Sequence, residues 1–380
     1  MSRRPDIEFS VLKMNKKRLQ LLLPKSSFMK NVATLMSGTV FAQVLLILVA
    51  PILTRLYSPE DFGVYAIYIS VAGVFAAVPC LCYEFAIVSP EKDEDAANVL
   101  ALAILICLGM CCLVALCTYF FRKPIASLFK SPDLAQWLWF IPLSFLVIGF
   151  FQAFNYWSTR RKQFKRLAVR QVTNSTITAF TQVGLGKLLN PPNPGGLIGG
   201  ALVGQSLATV RLAGQIAKDE GEQIISALSI KRIKEVAVRY RNFPLFTSPS
   251  LLLSVVSNML PAILLGYFFS MAVVGFFSLG YRVLSAPLTV IGSSLTQVFF
   301  PQATEANRDD ELANITLKAF EQLVKVGMTP FILLAIAAPE LFAIVFGHEW
   351  LIAGEYVRYM SIWLFLHFIT TPLAPVYMIV

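Results

Sequence analysis

Residues 243–303 read FPLFTSPSLLLSVVSNMLPAILLGYFFSMAVVGFFSLGYRVLSAPLTVIGSSLTQVFFPQA, and Arg282 is the only acidic or basic residue among them. A helix crosses the hydrocarbon of a bilayer in about 20 mostly apolar residues. The quoted stretch therefore holds two such passes, over about 243–269 and 271–300. A soluble domain has nowhere to bury two consecutive runs of that kind, so the stretch sets the fold class: an all-α, polytopic transmembrane helix bundle. Composition agrees. The chain of 380 residues is 56% apolar and 14% charged, against about 45–50% and 25% in soluble domains.

Working outward, eight further segments fit the same criterion, at about 31–53, 62–89, 96–121, 133–157, 168–188, 195–217, 327–347 and 353–380. Ten helices are thus expected. The net charge of +10 does not indicate nucleic acid, because eight of the 32 Lys and Arg lie in the first 30 positions and most others in a few short loops, the pattern of cytoplasmic segments. With the N-terminus inside, the cytoplasmic loops hold RRKQFKR (160–166), Arg170, Lys218 and the basic residues of 231–241, while the opposite loops hold Arg55, Arg122, Lys123, Lys130 and Lys187. The acidic loop PEKDEDA (90–96) falls on the basic side, and acids weigh little in orientation.

The organisation read from these runs is a basic cytoplasmic segment (1–30), a six-helix lobe (31–217), an amphipathic cytoplasmic linker (218–242) and a four-helix lobe (243–380). The halves repeat faintly: Pro51, Tyr57 and Gly63 in the first have counterparts in Pro261, Tyr267 and Gly275, with amides Gln43 and Asn258 upstream. That pattern predicts two pseudo-symmetric lobes in parallel orientation. Its offset of about 210 predicts twelve helices in all, and truncation of the C-terminal lobe is left open.

Polar groups inside the runs mark candidate sites, because hydrocarbon penalises them. Arg282 lies eleven residues into its helix, about 16 Å deep at 1.5 Å per residue, with Pro287 five residues on. Two readings are open: an anion-binding cation in a water-filled cavity, for which a guanidinium is well shaped, or a structural bond to carbonyls or an acid. Glu84, in CYEFAIV, sits one turn from the inner end of its helix, and proton coupling competes there with structural placement. Gln171, Asn174, Thr178 and Gln182 recur at three- and four-residue intervals, so they share one helix face; that face either looks into a cavity or bonds a neighbouring helix. Arg211 is either a further cavity cation or a residue near the inner surface. The small-residue run GGLIGGALVG (195–204) reads as a packing face. Cys80, Cys82, Cys107, Cys111, Cys112 and Cys117 lie in apolar runs without His or acidic clusters and read as small hydrophobes; His348 and His367 suggest no metal site. No phosphate-binding G-x-x-x-x-G-K-[ST] loop occurs, so energy is expected from a proton, sodium or substrate gradient, with no bound cofactor.

The stretches TRLYSPEDFGVYA (54–66), YEFAIV (83–88), WSTRRKQFKRLA (157–168), GYRVLSAPLTVIGSSLTQVFFPQA (280–303) and FGHEWLIAGEY (346–356) together resemble the bacterial polysaccharide-biosynthesis flippases, which export lipid-linked oligosaccharides within the multidrug/oligosaccharidyl-lipid/polysaccharide exporter superfamily. The resemblance implies an inner-membrane transporter of two lobes opening alternately to cytoplasm and periplasm. It implies a polyprenyl-diphosphate-linked glycan as substrate, for O-antigen, capsule or exopolysaccharide, with Arg282 holding the diphosphate and Asn258 nearby. Membrane lipids, a polysaccharide polymerase and the chain-length machinery are the partners it names. Two alternatives stand beside it, one from the same superfamily and one from a different class of activity. A cation-coupled drug exporter would favour acidic cavity residues, and a membrane glycosyltransferase or polymerase would carry a substantial catalytic loop outside the membrane.

Overall fold

The computed structural model describes residues 27–285, 312–374 and 376. The basic segment 1–26, Pro287 with the rest of the eighth apolar run, and the final residues of the chain lie outside the described residues. What is described is helical, with no strand among the described residues. We number the principal helices α1 (Ser27–Leu56), α2 (Pro59–Phe75), α3 (Asp93–Leu128), α4 (Ile141–Arg160), α5 (Phe164–Leu188), α6 (Pro194–Ala227), α7 (Ile230–Arg239), α8 (Ser248–Phe268), α9 (Met271–Ser285), α10 (Leu312–Phe346) and α11 (Leu351–Thr370).

Every one of the ten apolar runs contains a helix. Among the described residues six are long and apolar enough, by length and composition alone, to cross a membrane. The other four fall short for identifiable reasons. α5 carries the amide and hydroxyl stripe, α11 carries Glu355 and Arg358, and the described part of α9 ends at Ser285. The second run departs from expectation: α2 stops at Phe75, residues 76–82 turn, and a single helical turn follows at Tyr83–Ala86. Pro79 lies in that turn and lacks the N–H that would continue the helix. Leu81 and Cys82 take φ of 49° and 60°, a left-handed conformation that side chains with a Cβ seldom adopt.

Helix ends follow the local chemistry. Ser58 caps α2 in a reciprocal box with Asp61. Asp93, Glu94 and Asp95 open α3, where acids complement the helix dipole. The linker does not form one surface helix: residues 218–227 extend α6, and only Ile230–Arg239 forms α7. Arg170, expected in a loop, lies in the second turn of α5, 6% exposed, with its guanidinium 3.4 Å from the Phe151 ring centroid. Such a face-on contact stabilises a desolvated cation.

Close packing depends on small residues. Gly196, Gly200 and Gly204 form one edge of α6, and a Cβ at each would strike Tyr57, Gln182 and Thr178 respectively. This is the packing role expected for the run 195–204. Gly63 and Gly275 bring α2 and α9 together at the backbone: a Cβ on Gly63 would lie 1.8 Å from the Met271 carbonyl oxygen, and one on Gly275 would lie 2.0 Å from that of Pro59. These are the two glycines that the internal repeat pairs, and they meet at the α2–α9 crossing.

A second junction ties the early helices to the late ones. Trp350, in the turn between α10 and α11, is 1% exposed. Its indole Nε1 donates to the Thr54 carbonyl at 3.1 Å, and its ring meets Phe62 and Phe276 edge-on at centroid distances of 4.9 and 5.9 Å. Thr54 lies at the end of α1, where carbonyls lack an intrahelical donor, so the indole satisfies a group that hydrocarbon could not. Tyr57 nearby donates to the Gln182 carbonyl at 2.7 Å.

Gly63→Ala should force α2 and α9 apart and cost on the order of 1–3 kcal/mol, the usual range for overpacking. A lowered thermal midpoint of the purified protein in detergent is the expected readout.

Candidate functional site

Charged and polar groups in this chain fall into those that have partners and those that do not. The partnered ones lie mainly where the loops after α2 and α4 meet the extension of α6. Asp93 accepts from Arg160 at 2.8 Å and Arg161 at 2.7 Å. Glu220, 7% exposed, accepts from Trp157 Nε1 at 2.6 Å, Arg166 at 2.9 Å and Arg161 at 3.2 Å. Asp219 takes the other Arg166 nitrogen at 2.6 Å. Glu94 pairs with Arg232, and Asp95 with Arg239 at 3.5 Å, which fastens α7 to the start of α3. Asp93 of the acidic loop thus pairs with the basic loop, while Glu94 and Asp95 pair with α7 and Arg166 with the extension of α6. Arg160, Arg161 and Arg166 are committed to acids and do not offer an anion-binding surface.

A membrane arginine of a second kind lies in α11. Arg358 donates to the carbonyls of Ala335 at 3.2 Å and Ile336 at 3.1 Å, and pairs with Glu355 at 3.1 Å. Pro339 in α10 has no N–H to offer the Ala335 carbonyl four residues earlier. Arg358 replaces that donor, so its role is structural. The signal for it was present in the sequence as a proline in one apolar run and a charge in the next.

Arg282 is different. It is half-buried, and among the described residues its guanidinium has no ion pair or hydrogen bond. It lines a cavity of about 410 Å³ walled by α2, α8, α9 and α11. From α2 come Phe62, Tyr65, Ala66, Ile69 and Ser70; from α8, Ser257, Asn258, Met259, Pro261 and Ala262; from α9, Phe277, Ser278, Leu279, Tyr281 and Arg282; and from α11, Trp363. One wall is a stack of rings. Phe277 and Tyr281, one helical turn apart, lie 6.0 Å apart at 11°; Tyr281 and Trp363 follow at 6.1 Å and 24°, and Trp363 and His367 at 6.1 Å and 22°. Among the described residues the lining contains no acid. Such a chamber has one cation, a few hydroxyls and an amide against aromatic and aliphatic walls. Chemically it suits an anion carried on an amphiphile.

Of the residues singled out in the sequence, Arg282 and Asn258 share this cavity; the Asn258 side-chain amide also donates to the Ser254 carbonyl at 2.8 Å. The α5 stripe does not line it. Gln182 is fully buried and donates to the Leu197 carbonyl of α6 at 2.9 Å; Thr178 and the Asn174 backbone meet Gly204, and Gln171 faces Arg170 at 3.5 Å. Arg211 on α6 donates to Thr173 on α5 at 3.1 Å. Glu84 is fully buried elsewhere, with neither carboxyl oxygen hydrogen-bonded. The ring stack was the part missed: the i, i+4 pair Phe277 and Tyr281 is legible, whereas Trp363 comes from 82 positions away. Among the described residues no cluster of His, Cys, Asp and Glu is arranged to hold a metal.

Residues 52–354 match the family described as polysaccharide biosynthesis protein. The chain belongs to this family. A curated relative is the succinoglycan biosynthesis transport protein ExoT of Rhizobium meliloti (strain 1021), 27% identical over 319 residues, or 79% of this chain. The match spans 58% of the length of that relative. Among solved structures, an inward-facing multidrug resistance MATE family transporter of the MOP superfamily superposes with a TM-score of 0.62 at 16% identity, covering 88% of this chain and 79% of that one. A MOP superfamily transporter from Pyrococcus furiosus, whose binding pocket is described as of reverse polarity, superposes at 0.54 and 15% identity, covering 92% and 82%. At these identities the likeness shows the fold alone, an arrangement of helices shared with these structures.

Glu220→Ala should leave Arg161, Arg166 and the Trp157 N–H without their acceptor and cost roughly 3–5 kcal/mol, as for a broken buried ion pair. Glu220→Gln, which keeps an acceptor for Trp157, should cost less. Thermal unfolding of the two variants side by side checks the order.

Proposed function

We propose that this protein is a multi-pass inner-membrane flippase, not an enzyme, that carries polyprenyl-diphosphate-linked oligosaccharide repeat units from the cytoplasmic to the periplasmic leaflet for surface polysaccharide synthesis. The observation that carries the reading is the unpartnered Arg282 in a ring-walled cavity between α2 and the later helices. Family membership, a relative named as a succinoglycan biosynthesis transport protein and a transporter fold support it.

The geometry accounts for each part of such a substrate. A diphosphate cannot enter hydrocarbon unaccompanied; Arg282 offers it a fork of N–H donors, and Asn258, Ser257 and Ser278 line the same cavity. Sugar rings find flat partners in Phe277, Tyr281 and Trp363. The lipid tail stays in the bilayer. The α5 stripe and Arg211 act at one remove, fixing α5 to α6. With the N-terminus inside, the junction of Trp350 with Thr54, Phe62 and Phe276 lies on the periplasmic side, so the conformation described is closed outward. Movement between two such lobes then exposes the cavity to each side in turn. A drug exporter for cationic amphiphiles fits less well, because the described lining holds a cation and no acid.

In cells lacking the protein, lipid-linked oligosaccharide should accumulate on the cytoplasmic leaflet, and the intact chain should reverse this. Arg282→Ala should reach the membrane normally yet export at least about tenfold less, since a charge-assisted bond contributes about 1.5–3 kcal/mol. Arg282→Lys, which keeps the charge but not the fork, should retain part of the activity. Full export by Arg282→Ala, or normal glycan export with new sensitivity to cationic drugs in the deletion strain, would overturn the proposal.

A further inference from the structure

The break at 76–89 holds Glu84, the one carboxyl among the described residues whose two oxygens are both buried and unbonded. The groups facing it are Cys80 and Cys82 from its own segment, Cys107 from α3 and Tyr156 from α4. Phe243 and Ser248 approach the segment from the start of the later helices and carry no charge. Arg160, which holds the end of this segment, is committed to Asp93 and to the carbonyls of Val88 and Pro90. A carboxylate anion with neither a counter-ion nor a hydrogen bond is costly in such surroundings, so burial favours the protonated form of Glu84.

What surrounds Glu84 makes that proton consequential. Tyr83 donates its hydroxyl to the Ala237 carbonyl of α7 at 2.9 Å. Phe85 packs edge-on against Tyr156 at 5.0 Å and tilted against Phe243 at 6.5 Å, at the head of α8. The side chain of Cys82 meets Ser248. Residues 82, 83 and 85, on either side of the carboxyl, thus hold the linker helix and the entry to α8. The segment itself is under strain, with Leu81 and Cys82 both at positive φ, a conformation that persists only while its packing enforces it.

We propose that Glu84 is a proton-binding site that latches the linker: protonated, it keeps the 76–89 break closed against α7 and the head of α8; ionised, it draws water in, opens the break and releases them. The latch concerns how the early and late helices are joined, and it holds whatever occupies the Arg282 cavity.

The test follows amide hydrogen exchange of the full chain in lipid nanodiscs between about pH 6 and about pH 8, above the range in which an ordinary carboxyl titrates, corrected for the intrinsic exchange rate. A single-proton latch raises the open population by about tenfold per pH unit. In the wild type, peptides covering 76–89 and 230–248 should lose protection together on that slope. Glu84→Gln should remain protected throughout, Glu84→Asp should keep a pH slope, and the infrared band of a buried carboxylic acid should be missing only from Glu84→Gln. Tyr83→Phe should preserve the response at 76–89 and lose it at 230–239, the helix its hydroxyl holds. A wild type without a corrected pH slope, a Glu84→Gln variant with the wild-type slope, or a Tyr83→Phe variant whose linker still follows pH would overturn the latch. None of these measurements involves substrate, so their failure is distinct from failure of the flippase reading.

Discussion

Hydrocarbon offers no hydrogen bonds, and each polar group placed at its level must be satisfied within the protein or face water. That constraint sorts the charges here. Arg160, Arg161 and Arg166 meet Asp93, Asp219 and Glu220 at one end of the bundle. Arg358 supplies the donor that Pro339 removed from α10. Arg170 lies on the face of Phe151. Once these are assigned, two groups stand apart among the described residues: Arg282, open to a cavity, and Glu84, sealed away from one. The distinction between them is access. A cation in a chamber waits for an anion; an acid in a sealed pocket waits for water.

The cavity depends on how the late helices lie against α2. α8 packs along it, with Gly266 against Ile67 and Gly73 against Met259, and α9 crosses it at Gly63 and Gly275. Those contacts leave the aromatic face of α9 turned toward Trp363 rather than toward α2, so the ring stack forms one wall and the α2 side chains another. A bulkier crossing would have displaced the whole of α9, Arg282 included.

Periodicity and run length made the helices legible, because a segment of about 20 apolar residues has few other uses. The solitary charge in 243–303 marked the cavity, and Asn258 one helix earlier proved to share it. Contacts remote in sequence were not legible. The opposite charges of 90–96 and 160–166 were visible, but which arginine met which acid was not. The amides of α5 had two uses open to them, and the glycine edge of α6, itself visible, is what drew them to that helix. Pro79 marked the break in the second run, yet the run's apolar length concealed it. Trp350 and Trp363 were ordinary aromatic residues until the fold set one on the Thr54 carbonyl and the other on Tyr281.

The crossing of α2 and α9 has a mechanical meaning. Where two helices interlock through long side chains, turning one against the other means lifting ridges out of grooves. At Gly63 and Gly275 there are no ridges: backbone rests on backbone, and a rotation about that point breaks no knob-into-hole contact. The early and late helices are thus held close at a smooth bearing, with the gripping contacts of Trp350 on Phe62 and Phe276 directly beside it. A joint built that way resists separation while permitting tilt, so the effort of any rocking motion falls on the ring contacts flanking the pivot and not on the glycines.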